Sequence, residues 1–489
     1  MGCKNVYSNQ RYMRLTGYII AGAMAITWGT APAQTIDDAR QMMLDGDYAA
    51  ALPIFEKALS AKPKDASLNQ WVGVCLLRSG NPKKAERYLK VADERKLIDA
   101  PRYLAEAAFE QYEFSKATDL LDRYEEGIDN ANKKKARKAP KITKSPEADE
   151  LRRRTMLGQA MLDRVEKIVV IDSMAVDRDE FFKFYHLSPE SGTLNSTDVM
   201  PEDYEIAEPS EVYMPQSGEF RIWSAPDKDE NYVLMGATRL IDGTWDTPHP
   251  LGSALDAGGD SNYPFMMPDG VTLYYANNGP ESIGGYDIFI SRKDENGFLQ
   301  PQNIGMPYNS TYDDYLLAID EVNGVGWWAT DRNRLGDKIT IYRFIPSDLR
   351  VNYPVDTPGL AAHARIDSFR STWPADADYT EMLQRIDSAE YVSGKSHPDF
   401  YFALPGNRII TTWDELRTPA ARNAMEEYLD ACRRLDRNLK ELDSMRMRYA
   451  GGDRAVAGRI TSMEQEVERE RTALREMSNK VVRANEKTR

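Results

Sequence analysis

The chain predicts a multidomain α and β protein: an N-terminal α-solenoid, a central β-propeller and a C-terminal antiparallel helical hairpin. Three patterns predict it. A helical motif recurs after 34 residues near the N-terminus, a strand-and-turn unit recurs after about 53 residues in the middle, and apolar residues step by four and three near the end. With 489 residues the chain is long enough for about three domains, each with its own core. Its 42% hydrophobic and 10% aromatic content is that of a folded chain, not a disordered one. A net charge of −14 argues against nucleic acid as the main partner. Three cysteines cannot make a disulfide scaffold, and four histidines leave little for a histidine-rich metal site.

Residues 1–33 carry Lys4, Arg11 and Arg14 but no acid, then an apolar run from Leu15 to Trp28, then Ala31-Pro32-Ala33 before Gln34. That order predicts a cleaved export signal. The rival reading, a membrane anchor, needs about 20 apolar residues, and this run is shorter. Cleavage removes the three cations and takes the net charge from −14 to −17. No later stretch is apolar enough to span a bilayer. Cys3 precedes the apolar run, unlike a lipoprotein cysteine, and leaves with the signal. Cys75 and Cys432 then remain; buried free thiols and a long-range disulfide are both open readings.

Residues 34–130 predict paired helices. Gly46, Ala51, Phe55 and Ala58 recur 34 residues later as Gly80, Ala85, Leu89 and Ala92. Small alanines let helices approach, Phe55 and Leu89 fill the gap, and the glycines break the chain between helices. Trp71, Gly73 and Leu76 sit on the first helix of the second unit, and a degenerate third unit runs from about Pro101 to Tyr124 with Ala107, Ala108, Ala117 and Leu121. This region resembles the tetratricopeptide repeat, which implies a peptide- or protein-binding face. Met42, Asn69, Trp71 and Leu76 are the candidate partner-binding residues on it. Residues 131–167 then predict a basic linker, with Lys133, Lys134, Lys135, Arg137, Lys138, Lys141 and Lys144 around Pro140, followed by a helix. A solvated loop is the plain reading of that run; anionic glycan, lipid headgroups or nucleic acid are the alternatives, with nucleic acid the one an exported address favours least.

Residues 168–412 predict a propeller with an irregular excursion at about 350–390. Strand candidates are Ile168–Ile171, Phe220–Ser224, Tyr232–Ala237, Thr272–Ala276, Asp287–Ser291, Gly326–Thr330 and Ile339–Phe344, separated by Gly, Pro, Asn and Asp. Gly252, Asp260, Gly270 and Ile288 recur as Gly305, Asp313, Gly324 and Ile341. A period near 50 with several strands per unit indicates blades. Two blades are clear between about 243 and 345, and a third is expected between 168 and 242. The strand–turn–strand at 399–412 is a candidate to complete a blade.

The stretch Asn262-Tyr263-Pro264-Phe265-Met266-Met267-Pro268-Asp269-Gly270, followed by Leu273-Tyr274-Tyr275-Ala276 and Gly284-Gly285-Tyr286-Asp287-Ile288-Phe289, resembles the TolB-type, WD-like propeller repeat. Joined to a tetratricopeptide stack, it is similar to exported Bacteroidetes envelope proteins, some of them associated with type IX secretion. The resemblance implies a periplasmic or outer-membrane address. Those relatives usually add an OmpA-like peptidoglycan-binding domain, which is not seen here.

Residues 413–489 predict a coiled-coil hairpin. Ala421, Met425, Tyr428, Cys432, Leu435, Leu439 and Leu442 form one seam; Val456, Ile460, Met463, Val467, Leu474, Met477 and Val481 form the other, interrupted by Glu470. Asp453 is placed to cap the second helix. Docking of a partner helix or a second copy is the alternative.

The chain contains no Gly-rich phosphate loop, no His-Glu-x-x-His, no Cys-x-x-Cys and no Gly-x-Ser-x-Gly. His186, His249, His363 and His397 lack metal-ligand spacing. Asp256, Asp260, Asp313 and Asp314 suit either calcium or turn hydrogen bonds. Trp223, Trp245 and Trp327 are candidates for a propeller binding surface, or for packing between blades. The leading expectation is therefore a non-enzymatic exported scaffold, without cofactor, that binds other envelope proteins. A carbohydrate- or peptidoglycan-binding propeller is the alternative, and a propeller hydrolase a third. No nucleic-acid partner and no transmembrane segment after cleavage are expected.

Overall fold

A computed structural model describes residues 35–486 apart from 136–138, 180, 201–203, 241–243, 257, 348, 389–401, 405–407, 411 and 451–452. The expected export signal with Cys3, Arg137 and Lys138 of the basic run, and His397 lie outside the described residues.

Seven helices come first: α1 (Ile36–Leu44), α2 (Tyr48–Ala61), α3 (Ala66–Arg78), α4 (Pro82–Glu94), α5 (Ala100–Glu110), α6 (Phe114–Lys134) and α7 (Pro146–Leu162). Side chains of Thr35, Asp47 and Asp65 accept N–H groups of the first turns of α1, α2 and α3. Prolines open α4 and α7, where a missing N–H does no harm. The turn inside each of the three repeat units closes alike. Gly46, Gly80 and Tyr112 are left-handed (φ 85°, 76° and 61°). The next N–H reaches back to Met42 O, Leu76 O and Ala108 O at 2.8, 2.8 and 2.9 Å, the bond of a Schellman turn. The degenerate third unit thus keeps the turn geometry with tyrosine where the first two use glycine. Ala51, Phe55, Ala85, Leu89 and Ala92 are fully buried between the helices. A Cβ on Gly73 would lie 2.6 Å from Leu89 Cγ, which is how closely α3 and α4 approach.

The middle is strand-rich, with every pairing antiparallel. β1 (Val169–Asp177) comes first in sequence. Sheet I runs β2 (Thr193–Asn195), β3 (Val212–Met214), β4 (Phe220–Pro226), β5 (Tyr232–Thr238) and β6 (His249–Pro250). Sheet II contains β7 (Ser261–Met266), β8 (Thr272–Asn277), β9 (Asp287–Asp294), β10 (Gly297–Phe298) and β11 (Gln302–Asn303). Sheet III contains β12 (Asp314–Asp320), β13 (Val325–Leu335) and β14 (Lys338–Ile345), and β1 joins it beside β14. All seven strand candidates are found as strands.

The internal repeat is visible in backbone geometry. Gly218, Gly270 and Gly324 each turn the first main strand of a sheet into the next (φ 62°, 66° and 66°). Tyr263 and Leu316, 53 residues apart, are both left-handed at the same register break in β7 and β12. Ser210 Oγ and Asn262 Oδ1 join sheets I and II at 2.8 Å. Asp313 Oδ1 accepts Tyr286 N–H at 2.8 Å between sheets II and III. The segment after β1 then crosses to sheet III, where Tyr185 Oη donates to Leu316 O at 2.9 Å. Phe181, Tyr185, Tyr263, Tyr315 and Trp327 share this core.

Two differences from expectation stand out. The excursion at 350–390 carries two helices, α8 (Leu360–Arg365) and α9 (Thr380–Asp387). The strand pair β15 (Phe402–Leu404) and β16 (Arg408–Ile410) joins no other sheet among the described residues. Its apolar side chains Phe402 and Ile410 are buried against Ala421, Met425 and Val481 of the terminal helices, so hydrophobic burial draws it there and not onto a blade.

The last two helices, α10 (Pro419–Ala450) and α11 (Ala457–Glu486), pair along the expected seams, with Ala421, Met425, Leu442, Met463, Val467 and Val481 buried. Asn438 Nδ2 donates to Glu470 Oε2 at 3.0 Å where the seam is interrupted. Asp453 caps the turn into α11. Cys75 and Cys432 are both buried, and no disulfide joins them.

Candidate functional site

The helical layer and the sheets share one core. Ile283, Met306, Leu360 and Ala364 pack with Phe109, Tyr112, Phe114 and Ala148 in a single apolar cluster. A Cβ on Gly158 of α7 would lie 2.7 Å from Phe114 and 2.8 Å from Ile283, so only glycine permits this approach. Arg154 stacks over Phe109 at 4.9 Å and donates to Ile283 O and Thr311 O.

Beside this seam lies a cleft of about 1010 Å³. One wall is the α3–α4 turn (Ser79, Gly80, Pro82) and the α5–α6 turn (Glu110, Tyr112). The other is Arg178 at the end of β1, Tyr312, Asp331–Gly336 with Lys338 of the β13–β14 hairpin, and Arg365–Asp367 after α8. Two arginines bind helix ends. Arg334 Nη2 donates to Arg78 O at 2.9 Å, and Arg365 Nη1 donates to Gln111 O at 2.9 Å. Both carbonyls lie at helix C-termini, where the dipole favours a cation. Each guanidinium also lies over a tyrosine ring, Arg334 on Tyr312 at 5.6 Å and Arg365 on Tyr112 at 5.5 Å.

The charges of the cleft differ in how they are held. Arg332 is buried and donates to Asp314, Pro307 O, Tyr308 O and Thr330 Oγ1. Arg365 grips Asp367 with two bonds of 2.9 and 2.8 Å. Arg178 lies 3.6 Å from Asp331, and burial together with the charges of Asp313 and Asp314 pushes the Asp331 carboxyl up to about 6. Burial also raises Glu110, opposed by the hydroxyl of Tyr312, which donates to it. Among the described residues Arg334 makes no ion pair; its contacts are the Arg78 carbonyl and Tyr312.

The residues singled out from sequence lie elsewhere. Asn69 is buried and donates to Pro63 O and Asp65 O, stapling the α2–α3 turn. Leu76 is buried too, because the 34-residue pattern points it at the paired helix. Met42 and Trp71 are half-buried; Trp71 packs on Phe55 at 5.2 Å under Arg40. Trp223 and Trp327, expected on a propeller surface, are buried: strand alternation turns them inward, against Tyr204 and Tyr185. Trp245 alone of the three is partly exposed, with Arg221 on its face at 3.5 Å. The acidic loop residues accept backbone N–H groups: Asp256 that of Gly258 and Asp314 that of Ser310 within turns, and Asp260 that of Tyr232 at the start of β5. The cleft residues were not singled out. Their one local signal is the charged run Asp331-Arg332-Asn333-Arg334 at the end of a strand.

A family model described as Tetratricopeptide repeat matches residues 42–104. A comparison with curated proteins finds no match. The N-terminal helices are therefore tetratricopeptide-like, and repeats of this kind point to a protein-binding or scaffold role.

Proposed function

We propose that this chain is a non-enzymatic exported adaptor that holds other cell-envelope proteins, presenting its tetratricopeptide layer and its sheets as one rigid platform. The observation that carries this reading is the shared core of Ile283, Met306, Leu360 and Ala364 with the repeat helices. A large apolar junction fixes two modules relative to one another, as a scaffold requires. Further support comes from the family match at 42–104 and from the charged, apolar, small-x-small order of residues 1–33. We read sheets I, II and III as three propeller blades around one axis. The 53-residue repeat of left-handed Tyr263 and Leu316, and the pairing of β1 with β14, support that arrangement. The resemblance to exported Bacteroidetes envelope proteins suggests outer-membrane biogenesis or type IX secretion as the setting.

The test is affinity capture from the native envelope after mild cross-linking, with fractionation alongside. Envelope proteins retained in stoichiometric amounts, and a mature chain beginning at Gln34, are the expected result. A chain recovered alone from the cytoplasm would overturn the reading.

A further inference from the structure

We infer that the cleft between the repeat turns and the β13–β14 hairpin binds an extended acidic peptide segment of a partner protein, with Arg334 as the main carboxylate anchor and Lys338 as a second. This deepens, and rests on, the adaptor reading above.

Four observations carry it. The cleft holds about 1010 Å³, room for several residues of extended chain. Its lining includes more basic than acidic side chains. Arg334 is preorganised: it is pinned to Arg78 O, laid over Tyr312 and fitted above Gly80, which has no side chain to obstruct it. It sits left-handed (φ 50°) where the β13–β14 register breaks, a distortion that redirects the side chain. Its guanidinium makes no ion pair among the described residues; the charge of Glu110 reaches it only across Tyr312, whose hydroxyl lies between them. Lys338 is more than half exposed, and its nearest carboxylate, Asp177, is 3.9 Å away.

The same lining selects a peptide over a polyanion. Glu110, Asp331 and Asp367 face the cleft beside the cations. A densely charged glycan, nucleic acid or lipid surface would meet these carboxylates directly. An extended peptide offers carboxylates to Arg334 and Lys338 and backbone N–H groups to Asp331 and Asp367.

The experiment uses a fluorescent eight-residue peptide alternating Glu and Ser, a Gln–Ser counterpart, a heparin octasaccharide and phosphatidylglycerol vesicles. Fluorescence anisotropy should show binding of the Glu–Ser peptide and none of the Gln–Ser peptide. Arg334→Gln and Lys338→Gln should each weaken it about tenfold, the worth of one charge-assisted hydrogen bond. Lys228→Gln, on a remote loop, should leave it unchanged. Lys338 caps no helix, so its variant keeps the test valid if Arg334→Gln melts early. No binding by the unaltered chain, binding by both variants as tight as by the unaltered chain, or tighter binding of the octasaccharide or vesicles would each overturn the assignment. Envelope partners still captured by Arg334→Gln and Lys338→Gln would sink the cleft but leave the adaptor standing. Peptide binding without captured partners would do the reverse.

Discussion

Gly80 and Arg334 occupy a single piece of space: a Cβ on Gly80 would lie 2.6 Å from Arg334 Nε. Gly80 also has φ of 76°, where any L side chain is strained. Gly46, its counterpart one repeat earlier, has φ of 85° but nothing within 4 Å of its Cβ position. The two glycines therefore separate backbone strain from interlayer packing. Gly46→Ala should cost about 1 kcal/mol. Gly80→Ala should cost up to about 1 kcal/mol more, because the end of the Arg334 side chain must shift and give up its bond to Arg78 O. Urea denaturation of the two variants measures the difference, and equal losses would show that Arg334 yields freely.

Tyr112 closes the third repeat turn and plugs it into the sheets. It is buried, it packs on Phe114 at 5.4 Å, and its hydroxyl receives Thr311 N–H at 3.4 Å. Tyr112→Ala should destabilise by about 3–5 kcal/mol, as for other buried aromatics. Tyr112→Gly loses the same contacts but relieves the left-handed strain, so it should be the milder by about 1 kcal/mol. Chemical denaturation in parallel tests the order. Glycine proving no better than alanine would mean that the turn itself reshapes.

The fold was legible where chemistry is local or periodic. Gly46 and Gly80 announced helix ends because only a residue tolerant of positive φ closes a Schellman turn cheaply. Asp269-Gly270 and Asn323-Gly324 announced hairpins for a similar reason. Tyr112 hid the third turn, since tyrosine carries no such signal. The cleft was not legible. Arg334 and Gly80 are 254 positions apart, and neither a period nor a motif records that they meet. Burial misled in the other direction: Trp223, Trp327, Asn69 and Leu76 belong to residue types that also make binding faces, and only packing shows that their contacts are internal.

Cys75 lies on α3 with no exposed surface, and burial pushes its thiol up to about 11. The thiolate is the reactive form, so native Cys75 should resist iodoacetamide at pH 8. Denaturant should open Cys75 and Cys432 to the same reagent. Mass spectrometry of the alkylated protein checks both. Rapid native labelling of Cys75 would require an opening of the helical core.

Glu211 sets an acid-side preference in the sheet core. It is almost fully buried, and its Oε2 has no hydrogen-bond partner among the described residues. Burial raises its carboxyl from the usual 4.5 to about 8, among Tyr185, Tyr263 and Tyr315. The folded chain thus holds a proton that the unfolded chain releases above about 4.5. Its contribution is complete below that pH and is lost as pH rises through about 8, with a slope of at most about 1.4 kcal/mol per unit. Asp287, raised to about 7 by burial, acts in the same direction. Glu211→Gln keeps the size and removes the titration. Its stability should therefore fall less than that of the unaltered chain between pH 5 and 8, with Asp287, Asp331 and Glu110 contributing to the slope that remains. Denaturation midpoints at each pH decide the matter: parallel curves for the two chains would mean that Glu211 is ionised in the fold and paired with a cation or water.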